Sequence, residues 1–318
     1  MLRYLVRRLL AVIPLLFFIS LISFGIYQLA PGDPVRAHLP LEAMDDPAQV
    51  QRVREMLGLD KHWTVQYANW VGQVVQGNFG RSMVDNELVA EKLARVIPVT
   101  LQLSVTTFVI TFILALLVGI VSATRRYSIL DHFLTLFGFA GVSIPTFFMG
   151  ILLMLLFAVK LKWLPATGRY PLAEEPTLWV MIKHMILPVI AMGINDIAGL
   201  SRYVRSSLLE VLRQDYIRTA RAKGLSERVV IYRHALRNAL IPIITLLGLG
   251  LPDFIGGALV IENLFAWPGM GRTTVTAVFK NDYPVIMAAN VLFALMTIIG
   301  NLIADILYAM VDPRIKFS

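Results

Sequence analysis

Residues 218–224 read Arg218-Thr219-Ala220-Arg221-Ala222-Lys223-Gly224, and His234-Ala235-Leu236-Arg237 follow soon after. Good helix formers alternate there with basic side chains, and Gly224 can supply the positive φ that ends a short helix. A small residue such as Ala220 lets a helix approach a partner closely. The cations around it can pair with acidic groups of another protein or with anionic lipid. The plainer account is that they only hold the loop on one side of a membrane, and charge alone does not separate the two. A second set of polar residues lies inside apolar runs: Asn195, Asp196 and Asp253. Ionisable groups at that depth are expensive and face an aqueous path or a paired partner. Asp253 follows Pro252 and precedes Gly256 and Gly257, a run suited to a bent helix that lines a pathway. A hydrogen bond inside a helix bundle is the alternative for Asp253. Asp305, nearer the end of its run, suits a packing or capping role.

The remaining chemistry is narrowed by what the chain lacks. No G-x-x-x-x-G-K-[ST] phosphate loop, no H-E-x-x-H and no G-x-S-x-G occurs. None of the five histidines pairs with another at i, i+4, so a self-contained metal site is not expected. There is no cysteine, hence no disulfide or thiol chemistry. Two intramembrane carboxylates, Asp196 and Asp253, leave an intramembrane enzyme as a reading of another class. It would need the two close enough to share a proton. A self-powered secondary transporter is a third reading, but inverted-repeat halves are not evident.

The elements that must position these residues are apolar. Of 318 residues, 57% are hydrophobic and only 16% charged, gathered in blocks too long for a soluble core. Six blocks reach spanning length, at about 9–29, 99–123, 133–159, 185–200, 239–261 and 285–311. The predicted fold is therefore an all-α membrane protein with six transmembrane helices, one domain over 1–318. A small external subdomain occupies 31–98, and a cytoplasmic loop runs over 201–238. In the short connections and at the ends, 16 of the 29 Lys and Arg fall on one side. That places both termini and the 201–238 loop in the cytoplasm. The basic, apolar N-terminus has the outline of a signal peptide, but Leu29-Ala30-Pro31-Gly32 is a poor cleavage site. An uncleaved first span is expected. In the external segment, 46–57 reads as an amphipathic helix. Trp63, Tyr67 and Trp70 recur at helical spacing and are expected to pack at the interface or on the spans rather than form a substrate cage. The net charge of +8 is a matter of topology, and no nucleic acid is implied.

The 218–224 segment resembles the EAA loop of the membrane subunits of bacterial ABC importers, in the form typical of the oligopeptide/dipeptide branch. Other motifs match that branch in order along nearly the whole chain. They are the R-R-L…A-P-G-D-P opening of residues 1–34, Leu57-Gly58-Leu59-Asp60, Gln66-Tyr67 and Gly77-Asn78-Phe79-Gly80-Arg81-Ser82. Ser143-Ile144-Pro145, Trp267-Pro268-Gly269-Met270-Gly271, Asp282-Tyr283-Pro284 and Asp312-Pro313-Arg314 follow. The chain departs from the general EAA pattern where Arg218 and Thr219 replace Glu and Ala, and this again favours the peptide branch. The resemblance implies a permease of the type I importer fold in the bacterial cytoplasmic membrane, non-catalytic itself. ATP and Mg would be bound by two partner ATPase subunits, which would dock on Arg218, Thr219, Ala220, Arg221, Lys223 and Gly224. It also implies a homologous second permease, an extracytoplasmic substrate-binding protein and a peptide cargo. Nickel chelates or glutathione are carried by related permeases. Asn195, Asp196 and Asp253 are the candidate pathway residues.

Overall fold

The computed structural model describes residues 2–29, 35, 46–56, 58–171 and 175–311. At 2–9, 241, 244–245, 247–257, 304–305 and 307–311 it describes the backbone alone. The helices, in chain order, are α1 (Leu2–Leu29), α2 (Pro47–Met56), α3 (Trp63–Val75), α4 (Val89–Thr124), α5 (Ile129–Ser143) and α6 (Thr146–Leu153). After them come α7 (Leu178–Val211), α8 (Asp215–Ala222), the single turn α9 (Glu227–Val229), α10 (Leu236–Leu264), α11 (Met270–Phe279) and α12 (Tyr283–Val311). Wider π turns extend α6 over Met154–Lys160 and lead into α10 over Val230–Ala235. No strand forms among the described residues, as expected for a chain that must satisfy its backbone within each span.

Among the described residues, four helices are long and apolar enough to cross a bilayer: the Leu10–Leu29 part of α1, α4, α7, and the Tyr283–Ile303 part of α12. α10, at 29 residues, contains the expected fifth run. The third run differs from a straight span. It is two helical segments, Ile129–Ser143 and Thr146–Lys160, bent by 108°. The cause is local. Pro145 has no N–H to donate and disfavours helical backbone in the residue before it. Ile144 accordingly sits at φ −96, ψ 123. The fourth run extends well beyond its apolar core in both directions, to 34 residues in α7.

The chain forms two compact units, Met1–Thr100 with Pro268–Ile298, and Leu101–Trp267 with Ile299–Ser318. In the first, the aromatics of α3 lie on α1. Tyr67 meets Phe17 and Phe24 edge-on, Trp70 stacks beside Phe24, and the Ser20 and Tyr67 hydroxyls are 2.8 Å apart. These rings therefore pack the external segment onto a span, as the spacing suggested. A buried cluster joins Val89 and Leu93 of α4 to Met270 and Ala277 of α11 and Val285, Ala288 and Ala289 of α12. The 82–85 turn is fixed by Asp282, which accepts from the Ser82 hydroxyl at 2.5 Å and the Met83 N–H at 2.9 Å.

In the second unit, α7 packs against α5, α6 and α10. Its approach to α4 is close: a Cβ on Gly119 would lie 2.5 Å from the Val204 side chain. Asp131, at the start of α5, is almost wholly buried. It accepts two bonds from the Arg205 guanidinium, at 2.9 and 2.8 Å, one from the Tyr127 N–H at 3.0 Å, and one from the Ser122 hydroxyl. One carboxylate thus ties the end of α4 and the start of α5 to α7. Burying an ion pair is tolerable only when the remaining lone pairs are met, and here they are.

Candidate functional site: the helical loop after α7

α7 ends at Val211, and the chain turns through Leu212–Gln214 into α8. Asp215 opens α8, where a carboxylate favours the helix N-terminus. The Thr219 hydroxyl bonds back to the Asp215 carbonyl at 3.0 Å. Eight residues are too few for a helix to persist alone in water, so the fold must hold α8 by packing. Ile217, fully buried, and Ala220, at 7% exposure, face inward. They join a buried cluster with Val204 and Leu208 of α7, Val230 and Ala235 of the π turn, and Ala239 and Ile243 of α10. The close approach expected at Ala220 is thus made within the chain, in a cluster with residues of α7. Two polar contacts lie nearby: Asn238 donates to the Tyr216 hydroxyl at 3.0 Å, and Ser207 donates to the Ala239 carbonyl at 2.9 Å.

The turn that ends α8 depends on Gly224, at φ +77, a backbone that side-chain-bearing residues seldom adopt. The N–H of Gly224 meets the Arg221 carbonyl at 2.9 Å, and that of Leu225 meets the Ala220 carbonyl at 3.4 Å. The opposite face of α8 is open. Arg218, Thr219, Arg221, Ala222, Lys223 and Gly224 are all exposed. Arg218 touches Asp215 at 3.2 Å, and Arg221 grips Glu227 at 2.7 and 3.3 Å. Exposed pairs of this kind contribute only ~0–1 kcal/mol each. They order the surface more than they stabilise it. Arg213, Lys223 and Arg228 add exposed positive charge on either side.

The intramembrane candidates separate. Asn195 donates from Nδ2 to the Ile144 carbonyl at 3.3 Å and to the Thr146 hydroxyl at 3.2 Å, so it is turned toward the break between α5 and α6. Its Oδ1 is buried and meets no hydrogen-bond donor among the described residues. Asp196, the next residue on α7, is exposed on this chain. Asp253 lies within α10, and its side chain, like that of Asp305, is outside the described residues. A carboxylate pair between Asp196 and Asp253 therefore has no described geometry. No group of three His, Cys, Asp or Glu that could hold a metal occurs among the described residues.

Asp131, Arg205 and Ser122 are part of the frame that holds this loop; in the sequence Arg205 counts only as one of the loop's cations, and Asp131 and Ser122 are not singled out. The available signal was an acid two residues ahead of an apolar run and an arginine inside the 201–238 stretch. Their pairing spans 74 residues and has no local signature.

A multi-pass helical membrane protein with a basic helical loop clamped between two long helices is the class these features define. The chain belongs to the family of binding-protein-dependent transport system inner membrane components. Residues 115–317 match that family, and residues 1–104 match its N-terminal membrane component. Among similar proteins, an oligopeptide transport system permease, AppB of Bacillus subtilis (strain 168), is 44% identical over 315 residues, 99% of each chain. A di/tripeptide transport system permease, DppB of Pseudomonas aeruginosa (strain UCBPP-PA14), is 38% identical over 99% of each chain. A glutathione transport system permease, GsiC of Escherichia coli (strain K12), is 40% identical over the whole of each. Among solved structures, an inward-facing MetNI methionine ABC transporter chain aligns with a TM-score of 0.56. It covers 69% of this chain and 96% of that one at 17% identity, a likeness of fold.

Proposed function

We propose that this chain is the membrane-spanning permease subunit of an ATP-driven importer of peptides, and that α8 is the surface on which an ATPase subunit acts. The observation that carries the reading is the two-sidedness of α8: Ile217 and Ala220 are buried in the chain, while Arg218, Thr219, Arg221, Lys223 and Gly224 are presented outward. A helix too short to stand alone, yet pinned to the ends of two long helices, can pass a push on its outer face into α7 and α10. Ala220 serves that purpose from the inside by letting α8 sit close to the cluster, and Gly224 by fixing the turn.

In this reading the loop and both termini are cytoplasmic, in a bacterial cytoplasmic membrane. A homologous second permease completes the pathway, two ATPase subunits hold ATP and Mg, and an extracytoplasmic binding protein delivers the cargo. Asp196, exposed on α7, then faces the pathway or the second permease, where intramembrane carboxylates mark function. Peptide is the favoured cargo on the strength of the two peptide permeases among the relatives. Glutathione, itself a tripeptide, is the second reading, favoured by the relative of equal coverage that carries it.

The test is a proteoliposome containing the complex, its binding protein and a di- or oligopeptide. Peptide-stimulated ATP hydrolysis and uptake are expected, and both should disappear in Ala220→Trp and Gly224→Val while the chain remains in the membrane. Stimulation and uptake at the unsubstituted level in both variants would remove α8 from coupling. Uptake of glutathione with no response to other peptides would move the cargo to the second reading.

A further inference from the structure

α7 carries two contact regions that the preceding reading leaves unconnected. Toward one end, Val204 and Leu208 lie in the buried cluster with Ile217 and Ala220 of α8. At its middle, Asn195 reaches the break in the bent span, binding the Ile144 carbonyl on one side of Pro145 and the Thr146 hydroxyl on the other. The two residues it holds lie on either side of the break, Ile144 at the end of α5 and Thr146 as the first residue of α6. Ile144 is extended, and α6 begins with Pro145 at its cap and no side chain to bond its first N–H groups. The contact is intimate: a Cβ on Gly141 of α5 would lie 3.3 Å from the Ala198 Cβ, one turn of α7 beyond Asn195.

We infer that Asn195 is a positioning residue for transport, the latch by which α7 sets the angle between α5 and α6. Its donor spans the break, so a shift of α7 relative to the bent span must stretch or exchange both bonds. Its Oδ1 is buried and meets no donor among the described residues of this chain. Elements with two discrete arrangements are what carry a switch from one site to another. Asn195 is thereby assigned to the break in the bent span, and its neighbour Asp196 lies on an exposed face of α7.

This inference rests on the importer reading for its consequence but not for its first measurement. Hydrogen exchange on the purified membrane protein reads the amides of Met149, Gly150 and Ile151, the first in α6 with carbonyl partners one turn back; Met149 donates to the Pro145 carbonyl at 3.0 Å. Asn195→Leu is expected to raise their exchange by tenfold or more, with α4 amides unmoved. Thr146→Val, which removes one acceptor, should raise it less, and Thr146→Ser should restore it. In the reconstituted complex, Asn195→Leu should lower the number of peptides taken up per ATP hydrolysed by at least tenfold. A structural role alone would lower the yield or melting temperature and leave that ratio where it was. Unaltered exchange at 149–151 would overturn the latch whatever the transport result. Altered exchange with an unaltered ratio would overturn its role in transport. A complex that hydrolyses ATP without peptide stimulation even with Asn195 in place, while the exchange result holds, would instead count against the importer reading.

Discussion

Ile217→Ala is the substitution that most directly probes how α8 is held. Ile217 is fully buried, and it is the large aliphatic side chain that α8 places in the cluster formed with Val204, Leu208, Val230 and Ala235. Truncation removes three carbons from a packed site. Losses of this kind cost ~2–5 kcal/mol, transfer and cavity together. Taking about 3 kcal/mol, and a factor of ten for each 1.4 kcal/mol, the undocked population of α8 rises ~100-fold. The helix has no independent stability to offset this, because eight residues lie well below the ~12–15 needed for a marginal isolated helix. Three amides report the event. Lys223, Gly224 and Leu225 donate to the carbonyls of Thr219, Arg221 and Ala220, and those bonds exist only while the α8 turn is formed. Hydrogen exchange at these positions should accelerate by about two orders of magnitude, with the protection of α4 and α7 retained. Exchange within twofold of the unsubstituted protein would show that α8 is held by something other than this cluster, and the argument from burial would fail.

Arg205→Leu leaves the almost wholly buried Asp131 without its cation; breaking such a pair costs ~3–5 kcal/mol, and thermal unfolding in detergent should show a clearly lowered midpoint. Gly119→Ala should also destabilise, by ~1–3 kcal/mol, with a lowered thermal midpoint in detergent, because its Cβ would lie 2.5 Å from Val204 Cβ and 2.8 Å from the Ser201 carbonyl, contacts that a smaller residue at 204 would not remove. The hydrogen bond from Lys92 lowers the Asp85 carboxyl from 3.8 to about 2; burial opposes this, and the Ser82 hydroxyl and Glu87 N–H assist. A depressed carboxylate stabilises the folded state above its unfolded pKa, and that contribution is lost as pH falls through about 2. Lys92→Ala should therefore shift the titration of Asp85, followed by carboxyl NMR, upward toward its ordinary value.

The apolar runs that became long helices were legible because bilayer thickness imposes a length that no local propensity disguises. The loop was legible because Ala220 and Gly224 each have a physical meaning at their positions: a small side chain where helices meet, and a positive φ at a helix end. The direction in which Ala220 faces was not legible. That depends on where Val204 and Val230 come to lie, which is a tertiary matter. The break at Ile144 could be suspected from Pro145, but the 108° bend could not, since a proline permits anything from a slight kink to a re-entrant path. α7 runs beyond the apolar block at 185–200 because its ends leave the apolar pattern while remaining packed, Val204 and Leu208 in the cluster with α8 and α10, Met181 and His184 against Gln102 and the 167–169 segment. The Asp131–Arg205 pair and the Ser82–Asp282 bond join residues 74 and 200 positions apart, and sequence spacing holds no trace of either.

On the function proposed above, the outer face of α8 meets an ATPase subunit in the cytoplasm. The chain has no cysteine, so one introduced at Lys223 is unique. Lys223→Cys in membrane vesicles of known sidedness should resist a membrane-impermeant maleimide from the extracytoplasmic side and react from the cytoplasmic side. In the assembled complex, a short thiol-to-amine cross-linker should join it to the ATPase subunit, and a control cysteine at Asn78 should give no such adduct. An adduct at Lys223 whose yield changes when ATP is added is the expected result. Labelling of Lys223→Cys from the extracytoplasmic side, or no ATPase adduct in a complex that still transports peptide, would contradict the assignment of α8.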